Sequence, residues 1–531
     1  MERKIRIIET LCVIGIILLS AVILVGILLL YGMEQPAVPQ PPSDEVALTE
    51  WTDHLPDAIH YGQKLPVTAF RAADGSMRDL NDWAGKKLML LFWGSWCPYC
   101  GKALGAWEAY ESVLAEYPDY GLILINKLDP GKGETVEKAQ AYLSDNAIPF
   151  ECLYDEGLKA WQAYGVRRIP TLLILDGQGY LRCMTADAPE SDPELRALLA
   201  WAESGGAAAT ERFLTASMIG ADGGVYTTYM DRKGASPTGR DVLSESQGLL
   251  MAYAALTQNR ALFEQSWRYA KEKLRRDGVF AWYAMEDGTR ADANALMDDL
   301  RIYRALKSAN ALWGGLDSDV ADLASAIIAH NASAGQPVGF YDFRQQRAGS
   351  TIPLCYLDLE ALGDLGLRQR AEDILLGGYI GDAFPLYYAA YDYSSGTYSA
   401  SSLNTSEALM TLYHAVKGGV ARRESLKWLE RQVVSGTLAA RYGTDGRVVK
   451  GFDYHSTAVY AIAALIGAAA GNARLYTCAR RLMERYAVTE PSALQGSFSD
   501  RADGSDIIAF DQLMPLLVYA GTKDITFDTD Q

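Results

Sequence analysis

The sequence predicts a multidomain chain with an N-terminal membrane-spanning helix, a compact α/β domain and a long all-helical region. Three observations predict these parts. Residues 11–31 carry no charged side chain, residues 87–181 alternate between strand-like and helix-like stretches, and the chain after Gly205 contains many alanine- and leucine-rich helical stretches. The 531 residues exceed what one hydrophobic core usually holds, so several domains are expected.

The uncharged segment at residues 11–31 is long enough to cross the roughly 30 Å hydrocarbon core of a bilayer as a helix. Its apolar run exceeds the about 7 to 15 residues of a typical signal peptide, which favours an uncleaved anchor. Arg3, Lys4 and Arg6 precede this segment. The positive-inside rule therefore predicts a single-pass protein of the cell membrane, with a cytoplasmic N-terminus and extracytoplasmic domains.

Composition limits the classes of partner. The formal charge is −17, and the sequence shows no cluster of lysine and arginine, which argues against nucleic acid as a partner. Seven cysteines are too few for a small disulfide scaffold. The patterns divide the chain into a tip and anchor at residues 1–33, a proline-rich linker at 34–59, an α/β domain at 60–203 and a helical domain at 207–531.

The stretch CPYC contains a close cysteine pair, Cys97 and Cys100, between a strand-like run at residues 87–95 and a helix-like run at 102–116. Backbone N–H groups and the dipole at a helix N-terminus stabilise the thiolate of the first cysteine. A structural zinc site would need four ligands, and the sequence has no second CxxC. A structural disulfide between cysteines this close would constrain the unfolded chain only slightly. The pattern favours a redox role over both alternatives.

The stretch FWGSWCPYCGKAL, followed about seventy residues later by YGVRRIPTLLILDGQG, resembles the thioredoxin superfamily, in particular its membrane-anchored TlpA-like thiol-disulfide oxidoreductases. The resemblance covers about residues 60–203. It implies that Cys97 attacks, that Cys100 resolves, and that Pro170 forms a cis-proline loop facing them. It also implies a redox-active disulfide without a bound cofactor or metal, an extracytoplasmic thiol or disulfide protein as partner, and a membrane electron donor or acceptor.

Other residues near the motif have less specific interpretations. Trp96 is expected either to flank the redox site or to be a core aromatic. Cys152 and Cys183 are extra to the motif and are expected to be buried, unreactive thiols. Asp129 is interpreted as an ordinary loop acid. The Pro-Tyr dipeptide between the cysteines does not fix the direction of electron flow.

The helical region is predicted to contain a series of helices joined by loops rich in glycine, aspartate and tyrosine. Candidate helices lie at residues 245–256, 261–274, 295–309, 320–332, 354–365, 405–416, 422–434, 456–470 and 473–486. Many helices with short connections predict an α/α array, either closed into a barrel or left open as a solenoid. The tyrosine-rich loops fit a sugar-binding groove and fit barrel packing equally well.

Two acidic positions at helix starts are candidate site residues. Glu245 lies in SESQGLLMAY, and Asp298 and Asp299 lie in MDDLRIYRALKSANALWG. Their positions at helix starts, taken alone, favour a role in capping these helices, because acidic side chains there complement the helix dipole. The two blocks together resemble glycoside hydrolase family 8, whose inverting enzymes have an (α/α)6 barrel and cut β-1,4-linked glucans, xylans or chitosan. The resemblance implies that Glu245 is the general acid and that Asp298 or Asp299 lines the central subsite.

The sequence departs from the family pattern at the general base. The family's aspartate block is best placed at LNTSEALMTL, which offers Asn404 or Glu407 instead. The expected partner of Glu245 is therefore Asp299, then Asp298, then Glu407. The prediction is an oxidoreductase joined to a hydrolase of a β-linked polysaccharide. Two alternatives stay open: an oxidoreductase whose barrel only binds glycan, and a glycosidase whose thioredoxin fold is a spacer.

Overall fold

The computed structural model describes residues 59–185, 188–489 and 492–527 of the chain. The predicted membrane-spanning segment and nearly all of the predicted linker lie outside these residues. Within the described ranges, no helix is both long and apolar enough to cross a bilayer. What the structure describes is the α/β domain and the helical domain.

The α/β domain is built on a seven-stranded mixed sheet. Its strands are β1 (Ala69–Arg71), β2 (Met77–Asp79), β3 (Lys87–Trp93), β4 (Tyr120–Asn126), β5 (Glu151–Tyr154), β6 (Thr171–Leu175) and β7 (Leu181–Thr185). Their order across the sheet is β2-β1-β5-β4-β3-β6-β7. Strands β3, β4 and β5 run parallel, and β6 runs antiparallel to β3. Strand β3 is apolar on both faces because other elements cover both sides of the sheet.

The helices of this domain place the cysteine pair at a strand-to-helix junction. They are α1 (Pro98–Gly105), α2 (Trp107–Glu116), α3 (Val136–Asp145), α4 (Lys159–Ala163) and α5 (Asp192–Ser204). The single helix expected at residues 102–116 is two helices, because the backbone leaves the helical conformation at Ala106. Pro98 occupies the first position of α1, where its missing N–H costs no hydrogen bond.

The helical domain is a closed barrel. Its outer helices are α6 (Ala207–Ser217), α8 (Arg260–Tyr269), α10 (Asp317–Asn331), α12 (Arg368–Gly377), α14 (Arg423–Val434) and α16 (Ala473–Glu484). Its inner helices are α7 (Ser244–Leu256), α9 (Leu296–Trp313), α11 (Leu359–Asp364), α13 (Thr405–Lys417), α15 (Thr457–Ala469) and α17 (Ala509–Thr522). Each inner helix packs against the next, and α17 packs against α7. The alternative of an open solenoid is excluded.

Three helices of the barrel, α6, α12 and α17, were not among those the sequence predicted. Helix α17 contains Pro515 in its interior, and a proline normally argues against a continuing helix. The helix expected at residues 354–365 is a short 3-10 turn followed by α11, which begins where the Asp358 side chain accepts the N–H groups of Glu360 and Ala361. The spacing of apolar residues therefore identifies helix faces. It does not predict that α17 continues through Pro515, or that a 3-10 turn precedes α11.

The two domains share one hydrophobic core, and a buried arginine lies at their interface. The guanidinium of Arg480, on α16, lies 5.0 Å from the ring centre of Tyr61 and 5.2 Å from those of Trp201 and Tyr519. It also donates to the carbonyl oxygen of Gly205 at 3.0 Å. Cation–π contacts strengthen when water is excluded, so this arginine ties the barrel to both ends of the α/β domain.

The connection between the domains is two residues long. Helix α5 ends at Ser204 and α6 begins at Ala207, with Gly205 and Gly206 at positive φ of 63° and 102°. A Cβ atom on Gly206 would lie 2.6 Å from Cζ of Tyr519, so only glycine fits against that ring. The predicted boundary is therefore a tight turn between packed helices.

Candidate functional site

The redox site lies where β3 gives way to α1. Cys97 is the N-cap of α1, and its Sγ accepts the N–H of Cys100 at 3.3 Å. The same sulfur lies 3.5 Å from the carbonyl oxygen of Ile169, and the Ile169–Pro170 peptide bond is cis. The structure thus brings Cys97, Cys100 and the Pro170 loop together, in the arrangement that the sequence predicted.

The two cysteines of the pair have different environments. Cys97 is 6% exposed and Cys100 is 1% exposed, and both are thiols in this structure. Burial, followed by the hydrogen bond with Cys97, raises the pKa of the Cys100 thiol. The deeper thiol is therefore held in its protonated form until the outer one has reacted. This asymmetry fits an attacking Cys97 and a resolving Cys100.

The remaining described cysteines are buried free thiols away from the motif. Burial raises the pKa of Cys152 and of Cys183 to about 12, and that of Cys478 to about 11. A thiol that stays protonated is a poor nucleophile. Their environments therefore agree with the interpretation of Cys152 and Cys183 as unreactive.

Sequence reasoning missed Glu134, which anchors the loop before Cys97. Its carboxylate accepts the N–H of Ser95 at 2.8 Å, the hydroxyl of Ser95 at 2.6 Å and the amide of Asn126 at 2.9 Å. Glu134 is 7% exposed. Only the pairing of β3 with β4 brings Asn126 beside the redox loop, so no local motif signals this role.

Trp96 flanks the redox site, as one of its two interpretations held. Its half-buried ring lies 5.2 Å from Nζ of Lys132 and 5.9 Å from Nζ of Lys127. Asp129 forms an ion pair with Lys127 at 3.0 Å, and hydrogen bonding to Lys127 lowers the pKa of Asp129. Asp129 is therefore an ion-paired loop acid, in agreement with the ordinary role expected for it.

The barrel carries a cluster of carboxylates at the N-terminal ends of its inner helices. Glu245 lies in the first turn of α7, and its Oε2 is 3.0 Å from Nη1 of Arg301. The same nitrogen is 3.3 Å from Oδ1 of Asp298, whose Oδ2 accepts the hydroxyl of Ser244 at 2.7 Å. Burial, and then the charge of Glu245, raises the pKa of Asp298 to about 7. One guanidinium therefore bridges two carboxyl groups.

Asp299, the leading candidate for the partner of Glu245, does not fit that role. It is fully buried, and its oxygens accept the N–H of Phe280 at 2.9 Å and the amide of Asn294 at 2.5 Å. Successive residues on a helix point about 100° apart, so Asp298 faces Glu245 while Asp299 faces the short strand Val279–Phe280. Asp299 fastens that strand to α9, and its complete burial keeps it out of reach of a sugar.

Glu407 lies at the start of α13 and is exposed. It lines a concavity with Cys355 and Tyr388. Solvent reaches its carboxylate, yet the surrounding walls displace enough water to raise the pKa of Glu407, and the negative charge of Glu245 adds to this increase. Asn404, the other candidate in this block, uses its side-chain oxygen to cap α13. The closed ring therefore brings Glu407 close enough to Glu245 for their charges to interact. Asn404 has a structural role as the cap of α13.

Relatives of the α/β domain are thioredoxin-like proteins. The model of the AhpC/TSA family matches residues 61–184. The thioredoxin-like protein YneN of Bacillus subtilis (strain 168) is 30% identical over 126 residues, which are 23% of this chain and 70% of YneN. The thiol-disulfide oxidoreductase ResA of Halalkalibacterium halodurans is 28% identical over 108 residues, which are 20% of this chain and 57% of ResA.

Other similarities extend over the helical domain. YdaJ of Bacillus subtilis (strain 168), a candidate lipoprotein by its name, is 24% identical over 310 residues, which are 55% of this chain and 84% of YdaJ. The structure of an α-amylase from Clostridium perfringens covers 60% of this chain and 98% of its own, with 26% identity and a TM-score of 0.55. Endoglucanase Cel10, a family 8 glycosyl hydrolase from Klebsiella pneumoniae, covers 59% and 98%, with 16% identity and a TM-score of 0.43.

The resemblance to thioredoxin-like proteins predicted from the sequence is thus found among known proteins. Most of the chain beyond that domain shares its fold with the solved α-amylase. The 30% identity to YneN extends over 70% of the length of that protein, and the family model matches residues 61–184 of this chain. Through its α/β domain, the chain belongs to the thioredoxin-like proteins.

Proposed function

We propose that the chain is a membrane-anchored, extracytoplasmic thiol-disulfide oxidoreductase whose barrel acts on a polysaccharide. The observation that carries the redox half is Cys97 at the N-terminus of α1, 3.5 Å from the carbonyl that precedes Pro170. This position supplies the anion-stabilising environment that a nucleophilic thiolate needs. The name of ResA, a thiol-disulfide oxidoreductase, supports the same activity.

The reaction is thiol-disulfide exchange, and in the reducing direction it begins at Cys97. The Cys97 thiolate attacks one sulfur of a partner disulfide, the S–S bond of the partner breaks, and its other sulfur leaves as a thiolate. Cys100 then loses its proton and attacks Sγ of Cys97, which breaks the mixed disulfide and releases the partner as a dithiol. Two electrons pass to the partner, and a membrane electron donor restores the pair. The reverse sequence oxidises a dithiol and delivers electrons to an acceptor.

Two serine variants test the redox half in the full-length protein. Cys97→Ser should abolish exchange with a disulfide substrate. Cys100→Ser should accumulate mixed disulfides through Cys97, because the intermediate has lost its internal attacker. Non-reducing electrophoresis and mass spectrometry detect these species. Faster alkylation of Cys100 than of Cys97 at mildly acidic pH would reverse their roles, and unchanged exchange in both variants would refute the activity.

In the barrel, we assign Glu245 as the general acid and Glu407 as the carboxylate across the groove. An inverting hydrolase needs its two carboxyl groups about 6.5 to 9.5 Å apart, with a water between them. Asp298 is too close to be the second carboxylate. Its Oδ1 and the Oε2 of Glu245 both contact Nη1 of Arg301, so they lie at most about 6.3 Å apart, the sum of the two contact distances. Glu407 would take a proton from the attacking water, while Glu245 protonates the leaving oxygen.

A barrel that binds glycan without cleaving it is the second candidate function. A general acid must carry a proton, whereas the 3.0 Å contact of Glu245 with Arg301 is one that an ionised carboxylate makes. Catalysis would require substrate to displace Arg301 from Glu245. If the guanidinium stays in place, the groove retains carboxylates and aromatic rings for binding but has no proton donor.

A substrate panel separates the two candidates for the barrel. The panel should contain β-linked glucan, xylan and chitosan together with α-linked glucan, because the Clostridium perfringens relative is described as an α-amylase. New reducing ends would establish hydrolysis and identify the linkage. Retardation of the protein in a polysaccharide gel without new reducing ends would establish binding alone. If no glycan in the panel is either hydrolysed or bound, a role on polysaccharides is refuted.

The anchor and its orientation are part of the proposal. The uncharged residues 11–31 and the basic residues before them support an extracytoplasmic location, and the lipoprotein name of YdaJ is consistent with an envelope protein. Protease added to spheroplasts should digest both globular domains. Complete protection would contradict this topology.

A further inference from the structure

The surface around Cys97 is positively charged, although the whole chain has a formal charge of −17. Five cationic residues lie on the three segments that meet at the redox site, which are α1, the loop after β4 and the loop before Pro170. We call this group the cationic rim, and its members are Lys102, Lys127, Lys132, Arg167 and Arg168. A positive patch in an acidic protein is a local arrangement that overall composition does not produce.

The first side of the rim is α1 itself. Tyr99, within the CPYC motif, is 67% exposed, and Nζ of Lys102 lies 6.0 Å from its ring centre. Lys102 is exposed and makes no ion pair with any residue in the described ranges. An exposed aromatic ring with a cation beside it therefore lies next to the reactive thiol.

The second side is formed by the loop after β4. Lys132 is exposed, contacts the ring of Trp96 and forms no ion pair within the described part of the chain. Lys127 lies 3.7 Å from the ring centre of Trp161 and is paired with Asp129. Trp96 directly precedes Cys97, so these lysines border the redox site opposite α1.

The third side is the loop that leads to Pro170. Arg167 and Arg168 are both exposed, and they immediately precede Ile169, whose carbonyl faces Cys97. Arg167 forms no ion pair with a described residue. Of the carboxylates in the two neighbouring loops, Asp129 is paired with Lys127, and Glu134 is buried with its oxygens occupied by Ser95 and Asn126. Asp129 therefore balances the charge of Lys127, and neither acid forms an ion pair with Lys102, Lys132 or Arg167.

We infer that the cationic rim selects a protein partner whose reactive cysteine is flanked by acidic residues; this inference rests on the proposed redox activity. A sulfur that reaches Cys97 must bring its neighbouring residues against Lys102, Lys132 and Arg167. Complementary charges accelerate encounter and fix the register of binding, whereas like charges slow it. The rim lies on the segments that meet at the thiol, which favours a cysteine-containing partner over a polyanion that has no sulfur to exchange.

Three matched peptides test this inference. Tripeptides with the sequences Asp-Cys-Asp, Ser-Cys-Ser and Lys-Cys-Lys, each joined through sulfur to 5-thio-2-nitrobenzoate, are mixed with the pre-reduced full-length protein. Release of the coloured thiolate gives a second-order rate constant for each peptide. We expect the acidic peptide to react at least about tenfold faster than the basic one at low salt. This ratio should shrink in about 0.5 M salt, because screening shortens the range of the charges.

Matched triple variants separate local from overall charge. Lys102→Glu/Lys132→Glu/Arg167→Glu should reverse the preference between the acidic and basic peptides. The control is Lys86→Glu/Lys233→Glu/Lys450→Glu, which changes the net charge equally at exposed lysines outside the rim and should keep the wild-type ratio. The ratio of two peptide rates cancels any effect of the substitutions on the nucleophilicity of Cys97 itself.

The outcomes distinguish this inference from the redox proposal on which it rests. Equal rates for the three peptides, or equal ratios in both triple variants, would overturn the inference and leave the redox activity intact. Absence of thiolate release from every peptide would refute the redox activity. Rim-dependent binding to phosphatidylglycerol vesicles, combined with no peptide preference, would show that the rim faces a membrane and would also overturn the inference.

Discussion

The redox site and the barrel groove both place their reactive groups at the N-terminal ends of helices, but they draw on very different lengths of chain. Cys97 caps α1, and its neighbours come from one junction and one loop about seventy residues later. Glu245 and Glu407 come from helices on different sides of a closed ring. The first site has its motif complete. In the second, the proposed acid is paired to an arginine, and the proposed base was only the third candidate from the sequence. Chemistry concentrated at one junction is easier to infer from sequence than chemistry assembled by ring closure.

The largest test of this contrast is to remove the two groove carboxylates separately. If the barrel hydrolyses glycan, Glu245→Gln and Glu407→Gln should each lower kcat by about 10² to 10⁴, since each loses a proton transfer. Glycan binding should persist in both variants. Reducing-end assays and affinity electrophoresis measure the two properties. Turnover equal to the parent in Glu245→Gln would show that Glu245 is not the general acid.

The second test asks whether the two sites belong to one cooperative unit. Arg480→Met should lower the free energy of unfolding by about 3 kcal/mol, because Glu484 and the carbonyl of Gly205 lose their buried cationic partner. Differential scanning calorimetry should show the α/β domain unfolding separately from the barrel. Arg485→Met, at an exposed position on the same segment, is the matched control. Identical calorimetric traces for the two variants would refute the role of Arg480 in domain docking.

The third test concerns the carboxyl group that shares Arg301 with Glu245. Burial raises the pKa of Asp298 to about 7, whereas an aspartate in an unfolded chain has a pKa of about 3.9. The folded state therefore binds this proton more tightly, so the stabilising contribution is complete below about pH 3.9 and is lost as the pH rises through about 7.

Asp298→Asn should remove the part of the pH dependence of stability that comes from the Asp298 carboxyl group. The free energy of unfolding of the wild type, relative to the variant, should fall by up to about 1.4 kcal/mol per pH unit between about pH 4 and pH 7. Chemical denaturation across this range measures the difference. Parallel curves for the two proteins would mean that Asp298 is ionised in the folded protein throughout this pH range.

The smallest expected effect separates the redox pair from the other thiols. Cys183→Ala should leave the exchange rate within about twofold, because burial raises the pKa of Cys183 to about 12 and keeps it protonated. Alkylation followed by mass spectrometry should label Cys97 before Cys183 in the folded protein. A large loss of exchange in this variant would add a third thiol to the redox site.

Local signals accounted for most of the fold. The junction between β3 and α1 and the position of Glu245 in the first turn of α7 agree with the sequence predictions. Each depends on residues that are neighbours in the chain, such as an apolar run that ends at a helix N-cap. Such patterns determine local structure without knowledge of distant packing.

The features that could not be predicted depend on contacts between distant parts of the chain. Asp298 and Asp299 are adjacent in sequence, and only the placement of Asn294 and Phe280 shows that Asp299 is the structural one of the two. Likewise, the order of preference for the partner of Glu245 changes because ring closure brings Glu407 near it. A pattern in a single sequence does not show that Glu407 lies near Glu245 in the folded protein.

The two-glycine turn between α5 and α6 has a consequence for how the molecule meets its partners. With so short a connection, and with Arg480 buried between the domains, the redox domain cannot swing on its own toward a thiol. The α/β domain and the barrel must rotate together to present Cys97. If the proposed function holds, a polysaccharide bound in the barrel would therefore limit the orientations of Cys97 and the partner proteins that it can reach.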